Sequence, residues 1–158
     1  MEPMQTSNEK IDLFWKEFLA KTNRSEATKY FDVFHFELTE KLANELLQLV
    51  LAGQKRATAS SLWSFELQDL RIPEVGDLNI VTDWEGNPKC VIQTTAVTII
   101  PFSEMTYDIC KREGEDDSLE SWKKGHIRFY QNEGQMLGYE FTESMPVVFE
   151  DFEVIYRV

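Results

Sequence analysis

The sequence predicts an α+β fold, one curled β-sheet with helices laid on it and a helical extension in front. Two observations carry this. Apolar residues recur at helical spacing from Ile11 to Lys21 and again, more strongly, from Glu40 to Ala52. From Ala57 onward the texture changes to short runs of alternating or β-branched residues separated by Gly, Pro and Asx turns. At 158 residues, with no repeat and no low-complexity linker, the chain fits a main domain over 33–158 preceded by a helical extension over 1–32.

Met1 to Glu9 is polar and is expected to fray. Ile11, Phe14, Trp15, Phe18 and Leu19 make an amphipathic helix over Ile11 to Lys21, and Ser25 with Thr28 is placed to open a second short one. Val33 to Leu38 reads as a strand. Thr39 is a candidate N-cap for the helix Glu40 to Ala52, and Gly53 falls where a left-handed residue closes such a helix. Ala57 to Phe65 reads as a strand, and Gly76-Asp77 leads into another over Leu78 to Thr82. Asp83 to Pro88 is a hairpin turn, and Cys90 to Ile100 is its partner strand. Ser103 is read as the cap of a short helix through Thr106, Ile109 and Cys110, and Ser118 as the cap of a longer one through Leu119, Trp122, Ile127 and Tyr130. Tyr139 to Phe141, Pro146 to Glu150 and Phe152 to Val158 close the chain as short strands.

Composition narrows the function classes. The 16 basic and 28 acidic side chains leave a net charge of −12, which opposes broad affinity for a phosphate backbone. No DNA partner is expected; a small basic pocket remains compatible. No apolar run approaches the ~18 residues of a membrane span, and Met1 to Lys10 lacks a signal peptide's apolar middle, so a cytoplasmic protein with no membrane partner is expected. Two cysteines, Cys90 and Cys110, with no C-x-x-C pair, read as buried free thiols rather than as a disulfide scaffold or a zinc site. No metal and no cofactor is expected.

The segment richest in chemistry is Gly53-Gln54-Lys55-Arg56-Ala57-Thr58, where a helix ends, the chain turns and a strand begins. Lys55 and Thr58, three apart across the turn, can converge on one site. A lysine whose pKa is lowered by burial can take a hydroxyl proton and activate a nucleophile. On spacing alone, a surface lysine beside a strand threonine is the default reading.

The ordered set of motifs changes that. Gly53-x-Lys55-x-x-Thr58 after a leucine-rich helix, then Gly76-Asp77-Leu78, Pro101-Phe102-Ser103-Glu104-Met105, Glu113-Gly114-Glu115 with Ser118-Leu119 and Trp122, and Phe149 to Tyr156 together resemble the ASCH (ASC-1 homology) superfamily, of the longer bacterial type, over Val33 to Val158. The resemblance implies a small PUA-like β-barrel with flanking helices. Short bacterial members are amidohydrolases of N4-acetylcytidine and related nucleosides, and their catalytic lysine and threonine match Lys55 and Thr58. Their third catalytic residue, a glutamate, aligns with Glu113, with Glu115 as the fallback. The resemblance thus implies Lys55 as base, Thr58 as nucleophile and Glu113 as the proton relay or water-positioning group. Many members carry arginine two residues after the threonine, where this chain has Ser60, so any group that arginine holds falls to Arg56, to Arg71 or to neither. Another member is described as a ribonuclease; its lysine matches Lys55, but its supporting tyrosine falls at Leu49.

Other residues carry weaker signals. Glu113, Glu115, Asp116 and Asp117 are equally a solvated acidic loop, with no calcium-loop spacing. Trp63, just beyond Thr58, is the tryptophan best placed to stack a base; Trp84 is another, and Trp122 reads as core. Lys123, Lys124, His126 and Arg128 form the only basic cluster, read as a solvated helix face, and His35 reads as a structural histidine. Lys55, Thr58 and Glu113, with Arg56, Ser60, Trp63 and Glu115 around the ligand, thus define a pocket for a nucleoside-like small molecule or single-stranded RNA. Three functions fit: an amidohydrolase of N4-acylated cytidine-type substrates, a noncatalytic RNA-binding module, or a ribonuclease. A nucleoside carries no phosphate, so the acidic charge favours the first.

Overall fold

In the computed structural model, which describes residues 7–158, Ile11, Phe14, Trp15, Phe18 and Leu19 lie on one side of helix α1 (Ser7–Lys21), and all five are buried. They pack on Leu78, Ile80 and Val91 of the sheet. The stretch Met1 to Glu9, expected to fray, falls mostly outside the described residues, and Ser7 to Glu9 already belong to α1.

The sheet has five strands: β1 (Asp32–Phe34), β2 (Ala57–Ser61), β3 (Leu78–Thr82), β4 (Pro88–Pro101) and β5 (Pro146–Arg157). Their order is β1-β3-β4-β5-β2, with β1 parallel to β3 and every other pair antiparallel. The long β4/β5 ribbon runs from Cys90↔Arg157 to Pro101↔Pro146 and carries register shifts at Val91/Ile92 and Thr94/Ala96. Such bulges bend and twist a ribbon, and here they accompany the curl of the sheet into a half-barrel.

Alternation then sorts the residues. Helix α2 (Glu40–Leu51) turns Ala43, Leu47 and Val50 inward, and Leu47 and Val50 join Phe36, Val81, Cys90, Ile92 and Phe152. Burying Leu47 and Val50 contributes roughly 1.5–3 kcal/mol each. Helix α5 (Leu119–Leu137) covers a second core in which Ala57, Ala59, Val147 and Phe149 meet Trp122 and Tyr130. The other side chains of β2 and β5, among them Thr58, Ser60 and Glu150, are left for the concave side.

Two of the three predicted N-caps hold: Thr39 accepts from the Leu42 amide at 3.4 Å, and Ser118 from the Ser121 amide at 3.1 Å. Cys90 and Cys110 are free and buried, and burial pushes their thiols up to about 12 and about 11. No helix among the described residues is long and apolar enough to cross a membrane.

Several elements differ from expectation. β2 ends at Ser61, whose side chain accepts from the Ser64 amide and starts helix α3 (Leu62–Leu67) where a strand to Phe65 was predicted. Ser25 to Thr28 form turns, not a helix, and β1 stops at Phe34 short of Leu38. Ser103 lies inside a 3-10 turn (Phe102–Glu104) and caps nothing; Thr106 precedes the short helix α4 (Tyr107–Cys110). Helix α5 runs on to Leu137, Tyr139 to Phe141 is not a strand, and Pro146 to Arg157 is one unbroken strand rather than two. Charged residues in the middle of β5 are held by partners: Glu150 accepts from Thr94 at 2.6 Å, and Asp151 meets Arg112 at 2.8 Å.

Candidate active site

Gly53, at φ +78°, takes the left-handed geometry that only glycine adopts without strain, and closes α2. The amides of Gln54 and Lys55 both reach back to the Leu49 carbonyl at 3.0 Å, which tightens the turn. Lys55 is thereby driven inward, only 2% exposed. Its ammonium donates to the Ala57 carbonyl at 2.7 Å, to Glu113 Oε2 at 3.1 Å and to Glu115 Oε2 at 2.6 Å, and it sits 5.2 Å above the Phe36 ring. Three donors meet three acceptors.

Glu113 is equally buried. Its Oε1 accepts from the Trp122 indole at 2.8 Å and lies 3.2 Å from His126 Nε2. The His126 ring stacks on Trp122 at 4.0 Å, and its Nδ1 is 2.8 Å from the Trp122 carbonyl. The helix face read as solvated is thus split. Lys124 is exposed, whereas His126 turns into the site and Arg128, though exposed, borders the same cavity.

Between the two glutamates, Gly114 has φ +71°, and its carbonyl accepts from Gln54 Nε2 at 2.7 Å. A Cβ here would lie 2.2 Å from the Gln54 backbone oxygen, so the acidic loop is pressed against the α2–β2 turn as closely as backbone allows. Gly114→Ala should therefore unseat Glu113 and Glu115 together: we expect a lower melting temperature and loss of any activity that depends on the site. A variant with wild-type melting and turnover would show that this close approach is dispensable.

The electrostatics follow from burial and proximity. Burial lowers the Lys55 pKa, but the charges and hydrogen bonds of Glu113 and Glu115 more than offset it, so Lys55 is raised overall and is an ammonium at rest. Burial raises Glu113, yet Lys55 and His126 hold it below the ordinary carboxylate range. Glu115 is pushed up to about 7 by burial and by the neighbouring Glu113 charge, against the pull of Lys55. His126 loses to burial and gains more from Glu113, so it is raised. The cluster therefore holds one firm anion, one ammonium and one carboxyl poised at neutrality.

Lys55, Thr58, Glu113, Glu115 and His126 line one cavity of about 310 Å³. A second chamber of about 240 Å³ adjoins it, sharing Phe36, Glu37, Thr58, Ala59 and Phe129, and Ser60 opens on that chamber. Arg56 is exposed and lines neither chamber; its backbone amide donates to the Arg112 carbonyl at 2.9 Å. Trp63 is absent from both linings; it packs on the α5 core with its ring 5.9 Å from Tyr139. Arg71 forms a forked pair with Asp77 on the surface. Trp122 is fully buried, and Trp84 lies 4.8 Å from the ring of His35, which is exposed beyond the end of β1 rather than enclosed in a strand. Sequence reasoning missed His126 and Phe36; the one signal was that His126 follows Trp122 by four residues on one helix face.

A curled half-barrel flanked by helices, with a buried lysine–carboxylate cluster lining a cavity, is a PUA-like fold. The ASCH domain model matches residues 32–156, and the chain belongs to that family. An ASCH domain from Lactobacillus crispatus JV V101 is 34% identical, with a TM-score of 0.85 over 99% of each chain. A protein from Enterococcus faecalis V583 is 30% identical, with a TM-score of 0.86 over 94% of this chain and 89% of that one. No curated protein matches the chain.

Proposed function

We propose that the chain is an amidohydrolase of nucleoside-like ligands acylated on an exocyclic amine, of the N4-acetylcytidine type. The observation that carries this reading is the buried Lys55, held between two carboxylates in a cavity that Thr58 shares. In this reading Thr58 is the nucleophile, Lys55 and Glu115 handle the proton, and Glu113, fixed by Trp122 and His126, holds the lysine in place.

The resting ammonium has no lone pair, so it must first lose a proton. Glu115, 2.6 Å away and poised near neutrality, is the acceptor. The neutral amine then takes the Thr58 hydroxyl proton as the oxygen bonds the acyl carbon. Lys55 returns that proton to the departing nitrogen as the C–N bond breaks. Water attacks the threonine ester, giving one proton to Lys55, which passes it to the Thr58 oxygen as the carboxylic acid leaves. The net charge of −12 disfavours a polymer of phosphates at this mouth and is indifferent to a neutral nucleoside.

Incubating the protein with N4-acetylcytidine should release cytidine and acetate. Because Glu115 accepts a proton only when ionised, kcat/KM should rise with pH through an inflection near 7 and fall away below it. Folding stability should move the other way. A carboxyl raised in the folded state stabilises fully below its unfolded pKa, and that contribution is lost as pH rises through about 7. Binding of cytidine without any hydrolysis would replace this reading with a noncatalytic binding module.

A further inference from the structure

Resting on the nucleoside reading, we propose that Asn79 selects the ligand, its side-chain oxygen in the second chamber accepting a hydrogen bond from an N–H on the edge of a planar heterocycle. Asn79 is 3% exposed and lines that chamber. Its Oδ1 has no hydrogen-bond partner among the described residues, although buried side-chain oxygens are nearly always satisfied.

Placement on the sheet explains why nothing local answers it. Asn79 is the second residue of β3, between Ile92 of β4 and Asp32 of β1. Leu78 and Ile80 on either side pack toward α1, which sends Asn79 to the concave face with Val81. The polar neighbour on that face, two residues beyond Ile92, is Thr94, and its hydroxyl donates to Glu150 Oε2 at 2.6 Å. The rest of the wall mixes rings, Phe34, Phe36, Phe65 and Phe129 among them, with polar side chains such as Gln68 and Glu133. Rings in the wall beside a buried amide oxygen that nothing in the protein answers suit a flat ring that carries an N–H, because stacking accepts any base while the buried oxygen rejects one with no donor. Thr58 and Ala59 border both chambers, so a ring held here directs its substituents toward the lysine cavity.

The chemistry separates Asn79 from an ordinary structural asparagine. An asparagine that holds the fold loses stability when replaced by leucine. An asparagine whose oxygen is unmet in the free protein should lose none, and Asn79→Leu should melt at or above the wild-type temperature. The decisive measurement is calorimetric titration of two ligand pairs: cytidine with N4,N4-dimethylcytidine, and uridine with 3-methyluridine. The second member of each pair has no N–H on its base. Wild type should prefer the N–H member by about tenfold or more in at least one pair. Asn79→Leu should bring that ratio close to one, and Asn79→Asp, which keeps an acceptor, should retain the preference. An unchanged ratio in Asn79→Leu, or no preference in wild type, overturns the role of Asn79 alone. Binding of none of the four nucleosides by wild type overturns the nucleoside reading itself. A lowered melting temperature in Asn79→Leu with the ratio unchanged assigns Asn79 to the fold and likewise overturns the proposal.

Discussion

Lys55→Met should lower folding stability by about 3–5 kcal/mol near neutral pH, the usual cost of removing one partner from a buried ion pair. Methionine matches the lysine stem in length, so packing is largely kept and the effect isolates the charge. What remains is Glu113, 2% exposed, and the half-buried Glu115, with no ammonium between them. Without Lys55, Glu115 stays raised and Glu113, left with His126 alone, moves upward, so more of the variant's stability is confined to acid and lost as pH rises. In wild type, Glu113 is held low by Lys55 and His126, so its contribution is present at neutrality and lost as pH falls. Urea unfolding of both proteins between pH 4 and 8 should give stability curves that converge toward acid. Parallel curves would mean that the lysine is not the counterion that its distances imply.

Thr58→Val should remove hydrolysis of the acylated nucleoside, and Lys55→Arg should lower it about 10²–10⁴-fold, the range typical for loss of a general base. Valine keeps the shape of threonine on β2 and deletes the nucleophilic oxygen, whereas Thr58→Ser keeps a hydroxyl and should retain part of the turnover. Arginine preserves the positive charge between Glu113 and Glu115 but stays protonated, so it cannot complete the proton circuit. Its melting temperature should stay far closer to wild type than that of Lys55→Met, which separates chemistry from folding. Full turnover in Thr58→Val would remove the acyl-threonine step and leave Lys55 and Glu115 activating water directly.

The parts of this fold that are legible in the chain are those whose reasons are local. The leucine face of α2, the Thr39 cap and Gly53 sit within one short stretch, and the β3–β4 hairpin is announced by Asp83 to Pro88. Elements misread from sequence have reasons that are distant or concealed. Ser61 looks like one more strand residue until its hydroxyl is seen capping α3. Glu150 and Asp151 look like a break in β5 because Thr94 and Arg112, which satisfy them, lie far away in the sequence. At the site, family resemblance named Lys55, Thr58 and the two glutamates, and no local pattern required them to meet. The default reading of a surface lysine fails because the acidic loop folds over it. His126 stayed hidden among lysines and arginines, since only the folded helix shows which of those side chains turns inward. Arg56, offered as a stand-in for the family arginine, lies just before β2 with its side chain in solvent, and Trp63, just beyond Thr58 in the sequence, is carried into the core by the start of α3.

The strand order also sets when the site can come into being. β2, which follows Lys55, pairs with β5 far along the chain, so Ala57 finds Asp151 only after everything between them has been synthesised. Local pieces such as α2 and the β3–β4 hairpin can form early, but closing so long a loop is slow and comes late. A chain arrested before Pro146 would hold Lys55, Thr58, Glu113, Glu115 and His126 yet lack the strand that β2 docks against. Assembly of the pocket is thereby coupled to synthesis of β5.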